Sequence, residues 1–437
     1  MKVKTVIFQG LWVSILVLAA LTGCLDEQKT VSAGDRPNIV LIMADDVGLE
    51  VLGCYGGTSY QTPNIDKLAQ NGIRFTNCYS TPKCSPSRVT IMTGRYLFRT
   101  TEIWGHIPAE EKTFGHMLKS AGYRTALAGK WQMCLLKENP NHITKMGFDQ
   151  NCVFGWHEGA RYHQPYIWQN GKIRDDVKDL YGPDIYCDFL IDFIKKNKDK
   201  PFLAYYPMAI AHEVSNDFLP PPPPGPDGRY QSYKELVEYM DVLVGRIIDS
   251  LERLGLREKT IILFTTDNGT PKKFITRIED GEYISEPIIS MIGNATAIGG
   301  KGELTDAGTH VPLIVDWPGV APAGTICDDL IDFSDFLPTL AELSNASLPP
   351  NVIIDGKSFA PQIRGEKGKP REWIFNQFEG KAWVRTKQWK LYEDGRFFDM
   401  ITDPQENNPV EVKDMDELSL MEREKLQKVF NQLRSSK

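Results

Sequence analysis

After Asn38 the chain runs Ile-Val-Leu-Ile-Met without a polar side chain and then stops abruptly at Ala44-Asp45-Asp46. A strand with one face in water alternates apolar and polar residues, whereas a strand covered on both faces does not. The run therefore predicts a buried strand of a parallel sheet. Residues 123–128, 202–206 and 261–265 read as further strands of that kind. Helical patterns lie between them, most clearly over 233–254. Another starts at Thr62-Pro63, with threonine as N-cap, proline at the first helical position and Gly72 closing it. Strands alternating with helices give an α/β fold class: a large mixed, mostly parallel sheet sandwiched by helices.

The pattern changes after residue 328. Residues 384–387, 389–392 and 396–399 predict a short antiparallel meander, and 417–433 a closing helix. We expect a large domain over 37–327 and a smaller C-terminal α+β subdomain over 328–437. A chain of 437 residues accommodates both. Residues 151–185 are aromatic and glycine-rich without a clean period, which predicts surface loops. Five prolines, Pro220 to Pro224, must be extended and non-helical. The net charge of -7 argues against nucleic acid as a partner.

The first residues stand apart. Met1-Lys2-Val3-Lys4 is basic, residues 11–21 are apolar, and Leu21-Thr22-Gly23 brings small residues up to Cys24. This reads as a secretory signal. It resembles a bacterial lipoprotein signal over 1–24, cleaved before Cys24 with lipid added to that cysteine, and residues 25–36 would be a tether. The apolar run falls short of the roughly 20 residues of a spanning helix. Export to the periplasm or cell surface, with membrane contact only through lipid on Cys24, is the expectation. Cys54, Cys78, Cys134, Cys152, Cys187 and Cys327 show no C-x-x-C zinc spacing, and the sequence gives no disulfide pairing.

Two acidic pairs end strands: Asp45-Asp46, and Asp267-Asn268 within Thr265-Thr266-Asp267-Asn268-Gly269. Ligands of α/β sheets gather at the carboxyl ends of the strands. Three carboxylates and an amide oxygen there form a hard-oxygen set suited to Ca²⁺ or Mg²⁺ and poor for zinc.

The most specific stretch is Cys84-Ser85-Pro86-Ser87-Arg88 followed in register by Thr93-Gly94-Arg95. Further on come Gly129-Lys130-Trp131, Ala211-His212, Gly299-Gly300-Lys301-Gly302 and Thr305-Asp306-Ala307-Gly308. Together these resemble the type I sulfatases of the alkaline phosphatase superfamily, from about residue 37 to the Asp399–Pro404 region. The resemblance implies that a maturating enzyme, either formylglycine-generating or anaerobic, oxidises Cys84 to formylglycine. The hydrate of that aldehyde would attack the sulfur of a sulfate ester. It further implies that Asp45, Asp46, Asp267, Asn268 and the modified Cys84 bind a metal, usually Ca²⁺ and less often Mg²⁺. Arg88 and Lys130 would hold the nucleophile and the sulfate. His212, assisted by Lys301, would protonate the leaving alcohol.

One position departs from the family. Gln132 stands where Gly-Lys-Trp is commonly followed by histidine, the residue assigned to deprotonate the aldehyde hydrate. An amide donates and accepts hydrogen bonds but is no base near neutral pH. That role then passes to Asp45 or His212, or turnover is slow. Gln132 would remain as a substrate contact. The implied activity is hydrolysis of sulfated carbohydrates or small sulfate esters. The alternatives are a phosphodiesterase or phosphonate hydrolase of the same superfamily, and a catalytically weak binder of sulfated glycans.

Overall fold

The computed structural model describes residues 36–101, 103–214 and 221–436. The signal, Cys24 and nearly all of the tether therefore lie outside the described residues, as does Pro220. In chain order the strands begin with β1 (Asn38–Ala44), β2 (Ile73–Tyr79), β3 (Arg124–Gly129) and β4 (Gln150–Phe154). β5 (Ile167–Gln169), β6 (Lys172–Ile173), β7 (Phe202–Pro207) and β8 (Thr260–Thr266) follow. Two small hairpins come next, β9 (Lys273–Glu279) with β10 (Glu282–Pro287), and β11 (Ser290–Ile292) with β12 (Ala295–Ala297). β13 (His310–Asp316) and β14 (Thr325–Asp332) return to the main sheet.

That sheet has ten strands in the order β14-β2-β13-β8-β1-β7-β3-β4-β5-β6. β8, β1, β7, β3 and β4 run parallel, and β13 is antiparallel to both its neighbours. This is the mixed, mostly parallel sheet that the apolar runs predict. β1 shows why its sequence does not alternate. Val40, Ile42 and Ala44 pack on one face with the helices Pro63–Asn71 (α1), Gly182–Lys196 and Tyr233–Arg253. Ile39, Leu41 and Met43 pack on the other with Cys84–Thr93 (α2), Phe114–Ser120 and Phe336–Ser344. Both faces are covered, so both need apolar side chains.

Three readings from sequence need correction or comment. Residues 151–185 are not mainly surface: β4, β5 and β6 extend the sheet, and Cys152, Val153, Phe154, Ile167 and Trp168 are buried. Strands of three and two residues are too short to show a period. Thr62 precedes α1 but makes no side-chain cap. Its hydroxyl accepts from the Gly53 amide at 3.1 Å and donates to Asp66 at 3.3 Å. Residues 327 and 328 lie within one strand, β14, of the main sheet. Among the described residues the cysteines are free thiols.

The C-terminal sheet is an antiparallel meander of β15 (Ile374–Phe378), β16 (Lys381–Arg385), β17 (Trp389–Tyr392) and β18 (Phe397–Asp399). The helix Glu417–Ser435 covers it with Leu426, Val429 and Phe430. Its other face reaches back to the large domain. Arg385 lies 2.7 Å from Asp306, and Lys390 lies 3.2 Å from Asp306 and 2.8 Å from Glu406. Burial alone would raise the Asp306 carboxyl, but Arg385, Lys390 and His310 hold it well below the usual range. Deleting one partner of a buried ion pair costs about 3 kcal/mol or more, because the other charge is left unpaired. Asp306→Ala should therefore lower unfolding free energy by about 3 kcal/mol in urea titrations without changing the slope. A loss below about 1 kcal/mol would place this cluster with ordinary surface pairs.

Candidate active site

Asp45 and Asp46 follow β1, and Asp267 and Asn268 follow β8. The parallel register pairs Ala44 with Thr266, so the two acidic turns leave the sheet side by side. All four residues are fully buried. Asp46 sits at φ 64°, a left-handed conformation that aspartate tolerates better than most residues. Its amide donates to Asp267 Oδ1 at 3.2 Å, and its carbonyl accepts from the Tyr233 hydroxyl at 2.8 Å. Asn268 Nδ2 donates to Asp46 Oδ1 at 2.9 Å.

Cations close around this group. Lys130 Nζ lies 2.9 and 2.7 Å from the two oxygens of Asp45. Lys301 Nζ lies 2.6 Å from Asp46 Oδ2. Arg88 Nη2 lies 2.6 Å from Asp267 Oδ2 and 3.9 Å from Asp45 Oδ1. Glycines make two of these positions possible. Gly129, at φ 118°, sits so close to β7 that a Cβ there would stand 2.2 Å from the Pro207 carbonyl oxygen. A Cβ on Gly299 would stand 2.1 Å from the Thr270 carbonyl oxygen, so the Lys301 loop lies directly on the turn after β8.

Cys84 is the first residue of α2, and Lys83 before it supplies no side-chain cap. The first-turn amides are thus left for another acceptor, and a helix N-terminus favours an anion. The Cys84 thiol donates to Gln132 Oε1 at 3.3 Å. It is near enough to Arg88 and Lys301 to interact electrostatically with both. Arg88, one turn along the same helix, is fully buried. The fold thus gathers Cys84, Arg88, Lys130, Gln132, His212, Lys301 and both acidic pairs into one cluster.

His212 lies beyond β7, its Nε2 3.8 Å from Asp46 Oδ2. Its Nδ1 is 2.8 Å from the Glu213 carbonyl oxygen. A carbonyl only accepts, so Nδ1 carries the proton and Nε2 faces the site as a lone pair. Burial, then the charges of Lys301 and Arg161, hold this imidazole well below its ordinary range. Burial alone would raise Asp45 and Asp46. Lys130 and Arg88 around the first, and Lys301 and Lys130 around the second, bring both below the usual carboxylate range. Asp267 goes the other way: burial and the neighbouring Asp45 charge push it up to about 7 despite Arg88.

These groups fit a divalent cation. Asn268 Oδ1 is buried without a hydrogen-bond partner, a costly state for an amide oxygen unless something else binds it. Asp45, Asp46 and His212 bring ligand atoms within 4.8 Å of one another. His212, read from sequence as a proton donor, thus joins the compact cluster, while Asp267 Oδ2 is engaged by Arg88. Oxygen donors dominate the set, which suits Ca²⁺ or Mg²⁺.

Arg161 was not anticipated. Its Nη1 lies 3.7 Å from Asp45 Oδ2, and its guanidinium stacks 4.6 Å from the Phe154 ring. It comes from the stretch read as surface loop, where an isolated arginine among aromatics gives no signal of its own.

The fold and the cluster have counterparts. The sulfatase family's sequence profile matches residues 37–346. The chain belongs to the sulfatase family. A second profile, N-sulphoglucosamine sulphohydrolase, C-terminal, matches residues 301–434. The sulfatase is therefore a sulfuric ester hydrolase. It is 29% identical to N-acetylgalactosamine-6-sulfatase of Canis lupus familiaris, over 88% of this chain and 78% of that one. It is 28% identical to steryl-sulfatase of Rattus norvegicus, over 86% of this chain and 78% of the other. The crystal structure of Ps i-CgsB in complex with k-i-k-neocarrahexaose is similar at a TM-score of 0.68 and 26% identity. That match covers 86% of this sulfatase and 89% of the other chain.

Calcium added to the chelator-treated sulfatase should raise its thermal midpoint, since a ligand of the native state alone stabilises by about 2.7 kcal/mol at a hundredfold excess over its dissociation constant. The shift should be larger at pH 8 than at pH 6, because Asp267 must shed its proton to accept a cation. Asn268→Leu should reduce it at both pH values. Equal shifts at pH 6 and 8 would mean that cation binding displaces no proton from Asp267 over that range.

Proposed function

We propose that this sulfatase is an exported lipoprotein that removes sulfate from carbohydrates, through formylglycine made from Cys84 and a calcium ion at Asp45, Asp46, Asp267 and Asn268. The observation that carries the reading is the setting of Cys84. It is a cysteine at an uncapped helix N-terminus, hydrogen-bonded to Gln132 and within reach of Arg88 and Lys301. A carbohydrate substrate is supported by the names of two relatives, N-acetylgalactosamine-6-sulfatase and Ps i-CgsB with its bound k-i-k-neocarrahexaose. Export and the lipid on Cys24 rest on the N-terminal sequence alone.

The aldehyde, once formed and hydrated, supplies the nucleophile, and the cation supplies charge stabilisation. The side chains do the rest. Lys130 and Lys301 present ammonium groups to the sulfate oxygens, where charge gathers as the ester bond breaks. Arg88 fixes the nucleophile's side of the site through Asp267. Asp45, held low by its cations, is a poor base, which leaves His212 Nε2 as the proton carrier. A sulfate anion entering among these cations offsets the charges that suppress the imidazole. With that suppression relieved, Nε2 takes up a proton from solvent, gives it to the departing oxygen and returns to a lone pair that can accept the next one, so Gln132 is not needed as a base.

The test is production with a maturating enzyme, followed by mass analysis of the peptide holding position 84 and measurement of free sulfate. Aldehyde at position 84 and sulfate release from sulfated galactosamine saccharides are the expected results, with both lost in Cys84→Ala. Faster turnover of a steroid sulfate or an aryl phosphate diester would overturn the substrate class. Unmodified thiol in an active preparation would overturn the nucleophile.

A further inference from the structure

Arg88, Lys130 and Lys301 each donate a hydrogen bond to an acidic side chain of the site. Arg161 does not. It is only 6% exposed, and its Nη1 is buried without a hydrogen-bond acceptor. Its distance to Asp45 Oδ2, 3.7 Å, is too long for a hydrogen bond, and that oxygen is already engaged by Lys130 at 2.7 Å. A buried guanidinium donor with nothing to donate to is expensive, and a group of this kind beside a charged site calls for a partner.

The surroundings hold Arg161 in place. The Phe154 ring lies under the guanidinium at 4.6 Å. The neighbouring Tyr162 hydroxyl donates to the carbonyls of Ala209 and His212, tying this segment to the loop that carries His212. The Tyr162 carbonyl accepts from the Gly182 amide at 2.8 Å. A Cβ on Gly182 would stand 2.0 Å from the Arg161 carbonyl oxygen, so the backbone there is wedged against the helix that follows. Arginine on a fixed backbone presents a rigid fork that matches the oxygens of a tetrahedral oxyanion.

We propose that Arg161 binds sulfate in this site, supplying from an unrelated segment a charged donor that the amide Gln132 does not provide. Its Nη1 and Lys130 Nζ flank the same oxygen of Asp45, so a sulfate oxygen held by Lys130 comes within reach of Arg161. This rests on the sulfatase reading, and the experiment separates the two.

Wild type, Arg161→Gln, Arg161→Lys and the exposed control Arg277→Gln are compared on one turned-over sulfate ester. Inorganic sulfate serves as inhibitor at ionic strength fixed with sodium chloride. Arg161→Gln should lower kcat/KM by roughly a hundredfold, the usual loss on removing one transition-state donor. It should weaken inhibition by sulfate at least tenfold, with Arg161→Lys intermediate and Arg277→Gln unchanged. Thermal shift in low millimolar sulfate against matched chloride gives a readout without turnover. Wild type should be stabilised by sulfate, and Arg161→Gln should lose that increment whatever its own midpoint. If Arg161→Gln only lowers the midpoint and keeps the wild-type response to sulfate, Arg161 is structural and the proposal fails alone. If wild type neither hydrolyses sulfate esters nor responds to sulfate, the sulfatase reading fails and takes this one with it.

Discussion

Three buried carboxylates share the carboxyl ends of two adjacent parallel strands, and everything else in the site answers that concentration of negative charge. The β1–β8 register brings Asp45, Asp46 and Asp267 together whether or not their charges agree. Burial and mutual repulsion push such groups towards the protonated form, and Asp267 rises to about 7 even with Arg88 against it. Arg88, Lys130 and Lys301 arrive from three other segments, and each reaches a different carboxylate. The cage therefore closes only when the helix, the third strand and the glycine loop are all in place. Stability and function are coupled here at the level of single ion pairs.

The C-terminal sheet belongs to the same arrangement. Lys301 stands on a glycine loop, which by itself would be too permissive to aim an ammonium group. That loop runs directly into Asp306, and Asp306 is clamped by Arg385 and Lys390 from the second sheet. The Gly302 amide also bonds the Pro82 carbonyl, just before Cys84. One cation of the cage is thus held by the smaller domain, and the same loop is tied to the helix that Cys84 begins. A pinned loop keeps the geometry that a charged site needs to be organised before the substrate arrives.

Much of this was legible from the residues. The unbroken apolar runs gave the parallel sheet because both its faces are covered, and the strand-end positions of Asp45, Asp46, Asp267 and Asn268 gave the acidic cluster. The sequence could not show β5 and β6, whose three and two residues are held by cross-strand bonds. Arg161 was hidden for a related reason. It enters the site from a segment with no period and no motif, and only the wedge at Gly182 and the Phe154 ring bring it there. Thr62 shows the opposite error: a residue in the right place for a helix cap whose hydroxyl is used elsewhere.

Gln132 and Arg161 bear on which groups of the site can carry protons and on how much fixed charge it holds. At position 132 the chain adopts φ 47°, and the Gln132 side-chain oxygen accepts from the Cys84 thiol. An amide there offers no titratable group near neutral pH. Arg161 brings a permanent charge within 3.7 Å of Asp45 Oδ2, and that charge also helps hold His212 neutral. A histidine kept neutral, with its Nδ1 proton committed to a carbonyl, offers a free lone pair at Nε2. In the proposed mechanism the proton traffic therefore falls to His212, because the amide at 132 cannot carry a proton.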